Sequence, residues 1–140
     1  MTLVNQSFQR ARSTEAKEQR EAAILNAARA LAATHGVRQI TLTDIAAAIG
    51  MNKSALLRYF ETREQIFLVL TGEGWREWSS ALRKELVQLA EPSPTTVAAI
   101  FAKTLTARPI FCDLLVQAPL NLERNVSLDA VRRHFCYVRN

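Results

Sequence analysis

Between Thr41 and Phe60 the sequence allows little besides two short helices meeting at a tight turn. Thr41-Leu42-Thr43-Asp44 is a capping box, in which the Thr41 hydroxyl accepts a helix N–H and Asp44 reaches back. It opens a helix over residues 41–48 with Ile45 and Ala46 facing inward. Ile49-Gly50-Met51 ends that helix, because Gly50 supplies the positive φ that a tight inter-helix turn needs. Asn52 is then a good N-cap for a second helix over 53–59, whose buried side is Leu56 and Phe60. Two helices of about two turns each, joined by a short turn containing Gly, make a helix-turn-helix.

The flanks extend this pattern without a strand. Residues 1–14 are polar and aperiodic, with Arg10 and Arg12 as their only charges, and read as a flexible arm. From Glu15 a helix is expected, with Ile24, Ala27, Ala28 and Leu31 recurring at helical spacing and His35-Gly36 as its stop. After Phe60 a further capping box, Thr62-Arg63-Glu64-Gln65, opens a helical stretch to about Ala90. Gly72 and Gly74 interrupt it, predicting either a kink or two separate helices. Glu91-Pro92-Ser93-Pro94 is a linker that caps a helix to about Ala107, and Pro109 opens another through Gln117. Residues 119–126 read as a loop, and Ser127 caps a final helix to about Val138. The expected fold class is all-α. A flexible arm (1–14) precedes a three-helix DNA-binding domain (15–63) and a short helical effector-binding and dimerisation domain (64–140).

Composition narrows the function classes. Of a surplus of five positive charges, four fall in residues 1–63, which hold nine Lys/Arg against five Asp/Glu. A basic bias of that kind suits a polyanionic partner, although solvated faces produce similar imbalances. Apolar runs such as Ile66–Leu70 fall far short of the ~20 residues of a membrane span. No charged n-region followed by an apolar stretch marks a secretory signal. Cys112 and Cys136 lie too far apart for a metal-type spacing, and fit reduced thiols in a cytoplasmic protein. No cofactor or metal site is indicated. No His/Asp/Glu/Ser/Cys set suggests catalysis, so an enzyme is not expected.

Residues 20–67 resemble the DNA-binding domain of the tetracycline-repressor (TetR) family. The resemblance rests on Ile24-Leu25-x-Ala27-Ala28, Gly36, Thr41, Asp44-Ile45-Ala46, Gly50, Leu56, Tyr59-Phe60, Glu64 and Phe67, all in order and at family spacing. The bottom-up reading agrees. A recognition helix needs polar or small residues at its N-terminal end to enter the major groove. Here that end is Asn52-Lys53-Ser54-Ala55. Lys53 suits guanine O6/N7 or a phosphate, and Ser54 and Ala55 are small enough for close approach. Asn52 is either spent on capping or also reaches a phosphate.

Phosphate contacts that fix orientation are expected from Thr41 and Thr43 at one edge, and from Arg58 and Tyr59 at the other. Thr41 equally fits a cap alone, and Tyr59 is partly core. The resemblance implies that Arg63, where relatives commonly carry Lys, approaches a phosphate. Leu57 departs from a frequent Tyr, which removes a backbone contact, while Arg58 replaces a frequent His and can compensate.

The resemblance also implies a double-stranded DNA operator, a small-molecule effector of unknown identity and a homodimer, and makes a repressor of a palindromic site the expected role. Trp75, Trp78, Phe101, Leu105, Phe111 and Leu115 are the apolar candidates for an effector pocket, with ordinary core packing as the competing role. Relatives build their dimer from two final helices that 64–140 leaves little room for, so that pair is expected to be missing or replaced. The alternative expectation is a truncated helix-turn-helix protein acting as an interaction or heterodimerising fragment without a competent homodimer.

Overall fold

A computed structural model describes residues 2–118 and 126–135, and every regular element among them is helical. Among the described residues seven α-helices follow one another: α1 (Thr2–His35), α2 (Leu42–Ala48), α3 (Lys53–Leu56), α4 (Arg63–Val87), α5 (Pro94–Thr106), α6 (Pro109–Gln117) and α7 (Leu128–Phe135). A 3-10 turn, Val37–Gln39, joins α1 to α2. No helix among the described residues is long and apolar enough to cross a membrane.

The caps form as their chemistry demands. Thr41 and Asp44 exchange the reciprocal bonds of the capping box, and Asn52 Oδ1 accepts the Ala55 N–H at 2.8 Å. Thr62 accepts from the Gln65 amide, while Gln65 Oε1 reaches one residue further back, to the Glu61 N–H at 2.8 Å. Ser93 pairs reciprocally with Thr96 and Pro94 occupies the first turn of α5. Ser127 Oγ accepts from the Ala130 amide at the start of α7. Gly36 and Gly50 have φ of 81° and 66°, the left-handed values that the ends of α1 and α2 require.

Three expectations are corrected. The segment 1–14, expected as a flexible arm, is helical from Thr2. No Gly or Pro occurs before Gly36, so a helix anchored by its packed second half extends N-terminally at little cost per residue. Residues 12–20 are exposed, so Arg12 stands on a solvated helix surface. The second helix of the helix-turn-helix closes at Leu56 instead of Tyr59, because the Leu56 carbonyl takes both the Tyr59 and Phe60 amides in a tightened turn. That turn carries Phe60 into the core and brings Thr62 to the start of α4. Third, α4 runs uninterrupted through Gly72 and Gly74, so two separate helices are excluded. The loop expected over 119–126 lies outside the described residues except for Val126, as do Cys136 and the end of the final helix.

One hydrophobic core binds the helix-turn-helix to the rest. Ile24, Ala28 and Ala32 of α1 meet Ile45 and Ala46 of α2, Leu56 of α3, Phe60, and Ile66, Phe67 and Leu70 of α4. Leu114 and Ala118 from the α6 region complete the same cluster. Each fully buried large side chain contributes ~1.5–3 kcal/mol against exposure, so α6 is held to the head by the force that folds the head.

Gly74 has a packing reason of its own. A Cβ there would lie 2.4 Å from Phe111 Cδ2 and 3.0 Å from its Cε2. Trp75 and Trp78 pack against the Phe111 ring with centroids 5.6 and 5.8 Å away, so a shift that admits a Cβ disturbs that cluster. Gly74→Ala gains ~1 kcal/mol of helix propensity but incurs an overpacking cost of ~1–3 kcal/mol. We expect net destabilisation, read as a lower denaturant midpoint at unchanged m-value. A raised midpoint would contradict this packing.

Candidate nucleic-acid interface and cavity

The cap at Asn52 decides what α3 presents. Asn52 Oδ1 is tied to the Ala55 amide, and the exposed surface at the start of the helix is Asn52, Lys53 and Ser54, with Ala55 half-buried behind them. Leu56, fully buried, fixes the opposite side to the core. Arg58 is exposed and Tyr59 half-buried where the chain turns toward Phe60. Lys53 and Arg58 have no ion-pair partner among the described residues, so both charges are free for a polyanion.

A shallow depression of about 450 Å³ joins three of the expected contact regions. Thr41 and Thr43 line it from the start of α2, Lys53 from α3, Leu57 from just past the end of α3, and Arg63 from α4. Asn52, Ser54, Ala55, Arg58 and Tyr59 do not line it. The Thr41 hydroxyl is engaged within the protein, donating to Asp44 Oδ2 at 2.7 Å and accepting the Asp44 amide at 3.2 Å. The hydroxyl bond to Oδ2, with the Thr41 backbone N–H donating to the same oxygen at 2.8 Å, holds the Asp44 carboxyl below its ordinary 3.8.

Arg63 is turned inward. Its Nε donates to the Ile40 carbonyl at 2.6 Å and its Nη2 to the Val37 carbonyl at 2.5 Å. Nη1 meets Glu64 at 3.3 Å, and the guanidinium carbon sits 5.0 Å from the Phe67 ring centroid. At least three of the five donor hydrogens expected to serve a phosphate are thus committed to the protein's own backbone and to Glu64.

The six apolar residues expected around a pocket divide. Trp75, Trp78, Phe101 and Phe111 form an edge-on and tilted aromatic cluster with centroids 5.5–5.8 Å apart. Trp78 Nε1 donates to the buried Thr104 hydroxyl at 3.0 Å, which satisfies the one polar atom of that ring. Leu105 and Leu115 are half-buried. A cavity of about 430 Å³ lies beside the cluster, between α1, α4 and α6, and Phe111 alone of the six lines it. Its apolar lining is Leu70, Ile110, Phe111 and Leu114, with two ion pairs at its edge. Arg29 meets Glu73 at 2.6 Å, and Arg108 grips Glu77 with Nε and Nη2 at 2.5 and 2.6 Å.

Sequence reasoning missed these four charged residues and Asp113, whose Oδ2 accepts the Val37 N–H at 2.8 Å. The pairs span 31–76 positions along the chain, and no local periodicity carries such a signal.

The Arg108 bond pulls the Glu77 carboxyl below its ordinary 4.5, and Glu77 in turn raises Arg108. A depressed folded pKa contributes stability that is complete above about pH 4.5 and lost as pH falls through the folded value. With the Glu77 side chain 61% exposed, solvent screening keeps that contribution small. Arg108→Ala is expected to return the Glu77 titration toward 4.5, followed by the carboxyl carbon shift. An unchanged titration would mean the pair does not persist in solution.

Comparison with known families covers both halves of the chain. Residues 24–70 match the family described as bacterial regulatory proteins, tetR family. Residues 73–134 match the one described as tetracyclin repressor-like, C-terminal domain. No curated protein matches the sequence. The first match spans the core of α1, the two short helices and the start of α4, and the second spans the part of the chain that bears the aromatic cluster and α6. The chain therefore belongs to the TetR family and is a DNA-binding transcriptional regulator.

Proposed function

We propose that the protein is a repressor that binds a palindromic operator as a homodimer, with α3 in the major groove, and is released by a small-molecule effector. The observation that carries the DNA side of this reading is the start of α3. Asn52 caps it, Leu56 anchors it, and the exposed Lys53 and Ser54 stand at its tip with the free Arg58 one turn on. A Lys at that tip can reach guanine O6/N7, and Arg58 and the Thr43 hydroxyl suit phosphates.

The cavity of about 430 Å³ supports the effector side. Its size and apolar lining fit a small organic molecule, and the two ion pairs offer polar groups of either sign. It touches both α4, which begins beside α3, and α6, which shares the core of the head. An occupant that prefers one spacing of these helices shifts the DNA-binding equilibrium by its differential affinity for the two arrangements.

The test is binding to the DNA flanking the protein's own gene over a range of salt. Each phosphate neutralised should contribute a slope of about −0.9 in log K against log salt, giving a steep negative dependence. Lys53→Ala should weaken specific binding by about 1–3 kcal/mol if Lys53 reads a base, and flatten the slope by about one unit if it meets a phosphate. Equal affinity for random duplex would rule out the operator reading.

A further inference from the structure

Val37 is completely buried, yet it lies in the irregular link between α1 and α2. The 3-10 turn gives its carbonyl only a long bond, from the Ile40 amide at 3.4 Å, and gives its N–H no partner. Gly36 ends α1 at φ 81°, and the next amide, Val37 N–H, donates to Asp113 Oδ2 of α6 at 2.8 Å. The Val37 carbonyl accepts from Arg63 of α4 at 2.5 Å, and Arg63 also holds the Ile40 carbonyl at 2.6 Å. The backbone leading into Thr41, where α2 begins, is thus gripped from two sides by charged side chains of the following helices.

Asp113 joins this grip to the cavity. It lies on α6 between Phe111 and Leu114, both of which line the cavity, and Leu114 is also buried in the core beneath the helix-turn-helix. Pro109–Gln117 is a single short helix, so its residues move together. A hydrogen bond of this kind weakens steeply once donor and acceptor separate beyond ~3.2 Å. A displacement of α6 by well under an ångström therefore reaches the Val37 amide.

We propose that Asp113 is a positioning residue for DNA binding: its carboxylate is the strut by which α6 sets the entry of α2, and so the placement of α3. The strut is charge-assisted, which makes it roughly twice as strong as a bond between neutral groups. Its regulatory consequence rests on the reading of the cavity as the effector site, whereas its mechanical role does not. Loss of the acceptor leaves a buried N–H unanswered and frees the α1–α2 link on its α6 side, with Arg63 still in place on the other.

The experiment compares the full-length wild type with Asp113→Ala and Asp113→Asn by amide hydrogen exchange resolved along the chain. Affinity is measured in parallel for a duplex that the wild type enriches from a random-sequence pool. In Asp113→Ala, exchange at Val37 and through residues 42–56 should accelerate on the order of 5–150-fold, and duplex affinity should fall by a factor in that range. Amides of α5 serve as the reference and should change less than about threefold. Asp113→Asn keeps an acceptor oxygen but loses the charge, and should fall between wild type and Asp113→Ala in both readouts.

Wild-type exchange through 42–56 in the Ala variant overturns the proposal. Equal acceleration in α5 also overturns it, since that is plain destabilisation. If Asp113→Ala does not fold, Asp113→Glu, which displaces the acceptor by one methylene, should shift exchange in 42–56, and wild-type exchange there overturns the strut. Should the wild type enrich no duplex, the operator reading fails while the exchange comparison still decides the strut.

Discussion

The arrangement of this protein depends on how a buried, irregular stretch of backbone, Val37–Ile40, has its polar groups satisfied. Helices answer their own amides and carbonyls, but the link between α1 and α2 has no such partner over much of its length. Arg63 supplies donors to the Val37 and Ile40 carbonyls, and Asp113 supplies the acceptor for the Val37 amide. Without Asp113, fully buried Val37 would carry an unpaired N–H at a cost of ~1–3 kcal/mol, and without Arg63 its carbonyl would keep only the 3.4 Å bond from the Ile40 amide. With them, the start of α2 is fixed relative to α4 and α6, and the capping box at Thr41 begins its helix from a set position.

Arg63 shows how this constraint competes with a surface role. The family resemblance suggests a phosphate contact at this residue, and a cation at the start of a helix on the DNA side is a reasonable place for one. The structure instead draws the guanidinium inward over Phe67, where its planar fork answers two carbonyls at once. The free positive charge on this side of the head then lies with Lys53 and Arg58. That distribution leaves exposed cations on α3 and on the turn after it.

Local chemistry was legible in the sequence and distant chemistry was not. Thr41, Asn52, Thr62 and Ser93 each accept the amide three residues on, a bond written entirely within four positions, and the helix starts followed from them. Pro94 and Pro109 likewise marked the openings of α5 and α6. Gly74 misled, because a glycine within a helix looks the same in sequence whether it bends the helix or admits a neighbouring ring. Only the arrival of Phe111 from 37 residues away distinguishes the two. The four aromatics were visible as apolar bulk, but their stacking on one another, beside the cavity, is a tertiary outcome. The ion pairs of Arg29 with Glu73 and Arg108 with Glu77 were hidden for the same reason.

Two joined parts emerge: a head that exposes Lys53, Ser54 and Arg58, and a body whose α6 reaches into the core of that head. The most direct test of the central claim is dimethyl sulfate footprinting on an enriched duplex, since that reagent methylates guanine N7 on the floor of the major groove. We predict two symmetry-related patches of N7 protection, one per half-site, with centres separated by about one helical turn or a multiple of it. Both should be lost in Lys53→Ala if that side chain reads guanine. Binding without N7 protection, or protection scattered along the duplex, would contradict a major-groove recognition helix at residues 53–56.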